Sequence, residues 1–494
     1  MIPGNFQIEE ASIREIGNAL REGTITCVSL AEKYLGRIEA YDRRGPAPRA
    51  GLLTNPGALR GAEELDSALR EKGPAGPLHG IPALLKDNVE TRGMATTSGS
   101  LSLSDYLPDE DAFITKRLRA AGALILAKAN MHEFAVWGES ISSILGQVRN
   151  PYDVTRTAGG SSGGTGAGIA ANFAAAGIGT DTVNSIRSPA SACSCVGIRP
   201  TLGLVSRGGI CPYSLDQDTA GPICRTVEDA ALVLDAIAGS DPDDPLSAGS
   251  EGHVPATYTS FLIPSGLEGK RIGILRSLFG DKPVHRDVTA VMEHCLRSLH
   301  SGGAIVMEVP FAVDSDYLSS HVSVHLHTFR DDLEAYLQRL GPKSRFHTLN
   351  ELISSGEIHP GIAENLRRAD GLGRNRDSYR IRAWRRHTLR KQVAELMDAN
   401  SLDALVFPHQ KRLAVPTGEN QVERNGVLAA VTGFPSMVVP GGFSSPSESA
   451  PLGVPAGIEF LGRPWEEGTL ISMGYAFEQL TRSRKPPMST PPLR

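Results

Sequence analysis

Residues 159–172 read G-G-S-S-G-G-T-G-A-G-I-A-A-N, and residues 179–187 read G-T-D-T-V-N-S-I-R; this stretch decides the fold. Four glycines surround Ser161 and Ser162. Glycine lacks the Cβ atom, so the backbone here can take left-handed conformations or let other groups come close. The Ala/Gly-rich run at 165–176 predicts a helix packed tightly against its neighbours. Ser185 comes after a T-D-T turn. The stretch therefore contains several hydroxyl side chains within a short length of sequence.

Three interpretations of these glycines and serines compete. A flexible linker is one, but the run is short, is not repetitive and leads into apolar sequence. A nucleotide-binding loop is the second, yet no Lys follows the glycines as a phosphate loop requires. The P-Y-D-V-T-R-T-A segment before them is a poor strand, which argues against a dinucleotide fingerprint. The third interpretation is a serine nucleophile.

A serine hydroxyl needs a base to take its proton. No His lies near these serines in the sequence, but a lysine can serve where burial lowers its pKa. Lys86 in H-G-I-P-A-L-L-K-D-N ends an apolar run, Ile81–Leu85, that predicts a buried strand. Lys86 is therefore either the end of a strand that reaches solvent or a functional buried amine.

The segments G-I-P-A-L-L-K-D-N, G-G-S-S-G-G and G-T-D-T-x-x-S-I-R-x-P-A, in this order, resemble the amidase signature family. The resemblance covers most of the chain, from about Leu78 to about Leu480. It includes A-G-A-L-I-L-A-K-A-N-M-H-E-F at 121–134 and G-I-E-F-L-G-R-P at 457–464. Several motifs in one order make a more specific signal than any one of them alone.

The family carries a Ser-cisSer-Lys triad. The resemblance therefore implies Ser185 as the nucleophile, Ser161 as the cis-serine and Lys86 as the base. It also implies a cis peptide bond before Ser161, where Gly160 eases the crowding. The backbone N–H groups at the family's oxyanion-hole positions belong to Thr182, Val183, Asn184 and Ser185.

The chain departs from the family pattern just before Ser185. Most members have Gly-Gly there, whereas this chain has Val183-Asn184. A β-branched residue avoids the left-handed region, so we expect a negative φ at Val183 and added bulk beside the nucleophile. Asp181 and Arg187 flank the nucleophile, and we expect them to pair and shape the loop.

Composition bounds the functional class. The chain has 494 residues, 40% of them hydrophobic, and a formal net charge of −5. This charge argues against nucleic acid or an anionic membrane as the main partner. No apolar run is long enough for a membrane helix, and the start, M-I-P-G-N-F-Q-I-E-E, lacks the basic and apolar regions of a secretory signal. We therefore expect a cytoplasmic protein.

The six cysteines predict neither a disulfide framework nor a metal site, because the chain is large and lacks paired C-x-x-C spacing. We expect buried free thiols at Cys27, Cys193, Cys195, Cys211, Cys224 and Cys295. The resemblance implies no cofactor and no metal.

Short apolar runs alternate with helical segments, which predicts an α/β fold. The predicted strands are Ile81–Leu85, Ala123–Ala127, Arg271–Leu275, Ala304–Val309, Leu405–Pro408, Ser436–Val439 and Gly457–Leu461. The predicted helices include Ser12–Glu22, Ser29–Tyr41 with a Ser cap, Ala58–Lys72, Ala112–Ala121 and Val288–His300. We expect a large, mixed but mainly parallel sheet covered by helices on both faces.

The resemblance implies a single domain at 1–481. Its core spans about 46–311 and 401–481, and a helical cap at about 312–400 covers the substrate. We expect the tail at 482–494 to be disordered.

The cap region holds two features that need an interpretation. Ten Lys and Arg lie between Ile362 and Ala399, interleaved with acidic residues, which favours a solvated helix face over an RNA-binding surface. The segment H-V-S-V-H-L-H contains His321, His325 and His327, but no nearby carboxylate completes a metal site. We expect these histidines to be ordinary cap residues near the substrate entrance. Four aromatic residues are further candidates for the pocket lining, although each is more often plain packing: Trp137, Tyr213, Phe329 and Trp384.

The resemblance implies a stand-alone amidase acting on a small amide or a carbamate (urethane). The alternative is the A subunit of a glutamine-dependent tRNA amidotransferase, and Val183-Asn184 in place of that subunit's Gly-Gly counts against it. A non-catalytic scaffold would have a broken triad, whereas all three residues are present. We expect a small-molecule substrate and no nucleic-acid or membrane partner, and a homodimer is compatible with the resemblance.

Overall fold

The fold is described from a computed structural model covering residues 6–493. Residues 1–5, which belong to the segment used to argue against a secretory signal, lie outside the described residues, as does Arg494 of the predicted tail. Among residues 6–493, every helix is too short or too polar to cross a bilayer.

The described residues form fifteen strands. They are β1 (Gly51–Thr54), β2 (Pro82–Lys86), β3 (Leu124–Ala129), β4 (Ile141–Ser142), β5 (Gly146–Gln147), β6 (Arg149–Asn150), β7 (Asp153–Thr157), β8 (Ala176–Asp181), β9 (Val196–Arg199), β10 (Thr219–Cys224), β11 (Arg271–Ile274), β12 (Ile305–Glu308), β13 (Ala404–Pro408), β14 (Ser436–Phe443) and β15 (Pro455–Leu461). Eleven of them make one sheet in the order β1-β3-β2-β8-β10-β9-β14-β15-β13-β11-β12, and β4–β5 and β6–β7 are separate pairs.

The large sheet is mixed, as predicted, but it is not mainly parallel. Of its ten strand pairs within residues 6–493, four are parallel and six are antiparallel. The parallel pairs flank β2 and β11, where helices connect the strands. The antiparallel pairs fill the centre, where β8, β10, β9, β14 and β15 follow one another.

Helices flank the sheet. They are α1 (Ile13–Arg21), α2 (Cys27–Arg37), α3 (Ala58–Lys72), α4 (Phe113–Ala120), α5 (Gly163–Ala170), α6 (Arg187–Ala192), α7 (Val227–Ile237), α8 (Arg286–Ser301), α9 (Ser315–Tyr317), α10 (His325–Leu340), α11 (Leu349–Ser355), α12 (Ala363–Asp370), α13 (Asp377–Ala399), α14 (Val427–Thr432) and α15 (Glu467–Thr481). Helix α7 packs on β10, and α8 and α15 pack on β14. Apolar residues fill the space between helices and sheet, together with five of the six buried cysteine thiols; the sixth, Cys211, lies in a separate cluster.

Side-chain caps begin several helices. Ser12 accepts a hydrogen bond from the Glu15 backbone N–H, and the Glu15 carboxylate caps Ser12 in return, so α1 starts with a capping box. Helix α2 starts two residues earlier than predicted, because Thr26 rather than Ser29 is the cap. The helix predicted at 165–176 ends at Ala170, because Asn172 adopts a φ of 57° and turns the chain into β8.

Residues 315–399 contain helices and connecting turns but no strand. Helices α10, α11 and α12 pack against one another around a hydrophobic cluster separate from the main core. Phe329, Leu333 and Leu337 on α10 lie in this cluster together with Met131 and Phe134, which follow β3. The helical segment is therefore held against the edge of the sheet where β3 ends.

Residues 484–491 of the C-terminal tail make long-range contacts, although the composition of the tail predicts disorder. Arg484 donates to the Ser194 carbonyl at 2.6 Å and pairs with Glu10 at 2.8 Å. Arg37, which is fully buried, donates to the carbonyls of Thr490 at 2.7 Å and Pro491 at 2.9 Å. These long-range contacts fix a segment whose Pro, Ser and Lys/Arg composition is typical of disorder.

Candidate active site

Lys86 ends β2, which lies between the parallel strands β3 and β8. Its side chain is fully buried. The Nζ atom donates to Ser161 Oγ at 2.8 Å and to Thr180 Oγ1, at the end of β8, at 2.8 Å. The carboxyl ends of two adjacent parallel strands thus bring the amine to the Gly/Ser loop.

The surroundings of Lys86 favour a neutral amine. Burial lowers the pKa of Lys86 to about 7, while the nearby carboxylates of Asp181 and Asp218 oppose this shift. No carboxylate lies within 4.0 Å of its Nζ atom among residues 6–493. The amine can therefore accept a proton near neutral pH.

The peptide bond between Gly160 and Ser161 is cis. A Cβ atom on Gly160 would lie 2.6 Å from Ser140 Oγ, so a larger residue would not fit there. The His132 N–H donates to the Ser161 carbonyl at 3.0 Å. These contacts hold the Ser161 hydroxyl towards Lys86.

Ser185 lies on the turn between β8 and α6. The Ser162 N–H donates to the Ser185 carbonyl at 3.3 Å, which places the two serine-bearing segments side by side. Within residues 6–493 the Ser161 and Ser185 hydroxyls make no hydrogen bond to each other. Neither Val183 nor Asn184 has a positive φ, as we expected for Val183.

The backbone N–H groups of residues 182–185 donate no hydrogen bond to any described residue. Arg187 donates to the Val183 carbonyl at 2.9 Å, and the Asp181 carboxylate accepts the Ile186 N–H at 3.0 Å. These bonds fix the turn from both sides while its own donors stay unused. Four fixed, unpaired donors beside Ser185 suit the binding of an oxyanion.

Asp181 and Arg187 pair at 3.1 Å, as predicted. Both are fully buried, and Arg199 and Glu459 complete the network. Burial alone would raise the pKa of Asp181, but Arg187 and Arg199 hold it well below its usual value. Asp181 therefore stays ionised and braces the turn.

A cavity of about 210 Å³ opens over Ser185. The turn residues Thr182, Val183 and Asn184 form one wall, and Trp137 and Tyr213 contribute aromatic surface. The helical segment closes the cavity with Ser319, Ser320, Ser323, His325, Leu326, His327, Arg368, Leu372 and Arg382. The remaining lining comes from Ala135, Val136 and Arg424.

The model of the amidase family matches residues 29–471 of this chain. The chain belongs to the amidase signature family. It is therefore a hydrolase of carbon–nitrogen bonds.

Individual relatives agree with this assignment. The chain is 35% identical to a protein described as a probable amidase of Arabidopsis thaliana, over 98% of this chain and 93% of the relative. It is 34% identical to the A subunit of the glutamyl-tRNA(Gln) amidotransferase of Moorella thermoacetica, over 94% of this chain and 96% of the relative. The solved structure of the peptide amidase of Stenotrophomonas maltophilia superimposes with a TM-score of 0.87 at 38% identity, covering 97% of this chain and 98% of that one.

The three cap histidines of this amidase do not come together. His325 and His327 line the cavity, whereas His321 stacks on Tyr317 outside it. Burial, helped by Arg382, lowers the pKa of His325 to about 3 and that of His327 to about 4, so both are neutral. Among the described residues, no three His, Cys, Asp or Glu side chains are placed to hold a metal ion.

Of the four aromatic residues considered for the pocket lining, some line the cavity and others do not. Trp137 and Tyr213 line the cavity of the amidase, whereas the sequence favoured plain packing for each of them. Phe329 packs edge-on against Tyr213, with ring centroids 5.3 Å apart, and so supports the wall from behind. Trp384 is 65% exposed and does not line the cavity.

Sequence reasoning missed several residues of the site. Thr180, in the G-T-D-T motif, holds the Lys86 amine, and Asn88 donates to Thr180 Oγ1 at 3.2 Å. Both lie within the motifs that resemble the family, so the sequence could have indicated them as site residues. Arg368 and Arg382 belong to the stretch interpreted as a solvated face, yet both reach the cavity. Nothing in the sequence pattern separates these two from their neighbours.

Proposed function

We propose that this chain is a stand-alone amidase that cleaves the carbon–nitrogen bond of a small amide or carbamate through an acyl-enzyme on Ser185. The observation that carries the proposal is the 2.8 Å hydrogen bond between the buried Lys86 amine and Ser161 Oγ, beside the cavity that holds Ser185. A lysine with a pKa near 7 is a base suited to neutral pH.

In the proposed reaction, Ser185 Oγ attacks the substrate carbonyl and forms a C–O bond. Its proton passes to Ser161 Oγ, while the Ser161 proton passes to neutral Lys86. The oxyanion takes hydrogen bonds from the free N–H groups of residues 182–185, and losing one such donor typically costs about 2.7–4 kcal/mol. The relay then returns the proton to the leaving nitrogen as the C–N bond breaks. Water attacks the acyl-enzyme by the same route and releases the acid.

The reaction and the named relatives together suggest which amides and carbamates to test as substrates. A carbamate offers the same carbonyl for attack, and its hydrolysis releases an amine, an alcohol and carbon dioxide. The likeness to a peptide amidase supports adding peptide amides to the candidates. The cavity over Ser185, with its aromatic and aliphatic walls, suits a small or slender acyl group.

The purified chain, assayed without any other protein, is expected to hydrolyse some members of a panel of aliphatic amides, anilides, peptide amides, esters and carbamates. Released amine or ammonia is measured, with Ser185→Ala as the control for background turnover. Failure to turn over any member of the panel would contradict the proposal of a stand-alone enzyme.

The amidotransferase relatives favour one alternative, in which the same triad releases ammonia from glutamine inside a multi-subunit complex. That function predicts glutamine hydrolysis that depends on added partner subunits. It also predicts no turnover of the panel by the isolated chain. Assaying glutamine with the chain alone and with such partners therefore separates the two functions.

Val183 is expected to limit branching on the acyl group. Its isopropyl group is half-buried and lines the cavity beside Ser185. In Val183→Gly, the ratio of kcat/KM for a branched-acyl anilide to kcat/KM for a carbamate should rise by about tenfold, since a few methyl groups in a pocket are worth that much. A ratio that stays constant or falls would show that this position does not set acyl selectivity. A thermal melt of the variant controls for loosening of the turn.

A further inference from the structure

The cavity over Ser185 is lined by charges of one sign. Arg368, Arg382 and Arg424 reach it, and its lining contains neither Asp nor Glu. His325 and His327 add hydrogen-bonding groups but no charge, because both are neutral. A small cavity with several cationic groups and no lining anion favours a negatively charged occupant.

Arg424 is a cavity arginine without a hydrogen-bond or ion-pair partner among residues 6–493. Within residues 6–493, its guanidinium donates no hydrogen bond and lies beyond 4.0 Å from every carboxylate oxygen. It lies over the Trp137 ring, 5.1 Å from the ring centre. Glu139 and Asp316 attract it only from farther away. The Glu139 oxygens already accept the N–H groups of Gln421 and Gly138.

Several other buried arginines of the fold have partners. The fully buried Arg187 and Arg199 pair with carboxylates, and the fully buried Arg225 donates to backbone carbonyls. In the cavity, Arg382 donates to the Ser323 carbonyl at 2.8 Å and so clamps the helical segment. Arg368 is exposed at the edge. A guanidinium held on an aromatic face with its donors unused is pre-organised for a ligand.

We propose that the substrate carries a carboxylate, and that Arg424, stacked on Trp137, binds this group while the scissile carbonyl lies at Ser185. The planar guanidinium matches a carboxylate with two parallel hydrogen bonds. Arg368 adds charge at the cavity edge, and His327, whose Nδ1 has no partner among the described residues, adds a hydrogen-bonding group. This inference rests on the proposed function and narrows its substrate class to amides or carbamates with an acidic group.

The test compares the monoamides of succinic, glutaric and adipic acid with butanamide, pentanamide and hexanamide, which have the same carbon counts and no carboxylate. Ammonia release by the wild-type chain gives kcat/KM for each. We expect the acidic member of at least one pair to be preferred by about tenfold or more. Preference for the neutral member at all three lengths would overturn the inference, and this result needs no variant.

Arg424→Gln is expected to lower the acidic-to-neutral ratio by about tenfold or more, and Arg424→Lys should lower it less because the charge remains. Arg380→Gln is the matched control, since Arg380 lies on α13 with its side chain 73% exposed and pairs with Asp377. The ratio should not change in this control. An Arg424→Gln ratio within about twofold of wild type would overturn the inference.

The two proposals fail differently. Turnover of neutral panel amides that depends on Ser185, with no turnover or no preference for acidic amides, would overturn the carboxylate subsite alone. Absence of any turnover that depends on Ser185 would overturn the proposed function and this inference with it.

Discussion

Replacing Ser185 with alanine is expected to lower kcat by about 10⁴-fold or more while the fold stays intact. The Ser185 hydroxyl makes no hydrogen bond to any described residue, so its removal breaks no contact that holds the turn. Ser185 is only 6% exposed, and alanine fits the same space. The measurement is hydrolysis of the best panel substrate, with a thermal melt to confirm folding.

The neighbouring Ser162 provides a matched comparison. Its hydroxyl accepts the Thr180 N–H at 3.3 Å and donates to the Thr180 carbonyl at 3.2 Å, so it ties the Gly/Ser loop to β8. Ser162→Ala should therefore cost stability more than rate. Activity of Ser185→Ala within about tenfold of wild type would rule Ser185 out as the nucleophile.

Replacing Lys86 with methionine is expected to lower the rate by about 10²–10⁴-fold and to remove a rise of activity with pH. The wild-type pKa of about 7 means that the amine is neutral above pH 7 and protonated below it. Since only the neutral amine accepts a proton, wild-type kcat/KM should climb as the pH passes upward through 7. The profile is measured from pH 5 to 10. A variant that keeps the wild-type profile would assign the base to another group.

The same substitution should stabilise the fold, with a defined pH dependence. The ordinary lysine pKa of 10.5 applies to the unfolded chain, and burial lowers it to about 7 in the folded protein. Between these values the unfolded state binds more protons, so the free energy of unfolding of the wild type rises with pH. Below pH 7 the buried amine is protonated, so it lowers the free energy of unfolding by the full amount. Lys86→Met should therefore melt above wild type at pH 6, and the difference should shrink towards pH 10.

Much of the site could be predicted because its residues lie in short motifs. Lys86, Ser161 and Ser185 each lie in a distinctive local sequence. The structure joins Lys86 to Ser161 by a hydrogen bond and places Ser185 in the lining of the cavity. Each of the seven predicted strands has a counterpart in the structure, and runs such as β13 and β15 are apolar with clear ends. Strand β8 reads A-G-I-G-T-D, and its first residue falls within the predicted helix, because small residues carry little strand signal.

The rest of the site depends on contacts between distant parts of the chain. Trp137 and Arg424 meet across almost three hundred residues, so local sequence does not show that one stacks on the other. Whether Arg368 and Arg382 face solvent or the cavity is decided by how the helical segment lies on the sheet. The share of parallel and antiparallel strand pairs also could not be predicted, because strand direction follows from topology rather than from composition.

One buried side chain contacts residues near both ends of the described chain. The Arg37 guanidinium binds the Glu9 carboxylate at 2.6 Å as well as the Thr490 and Pro491 carbonyls. The beginning and the end of the described chain are therefore neighbours in space. This arrangement suits circular permutation, in which a short linker joins the two ends of the described chain and new ends open in an exposed turn such as 251–254.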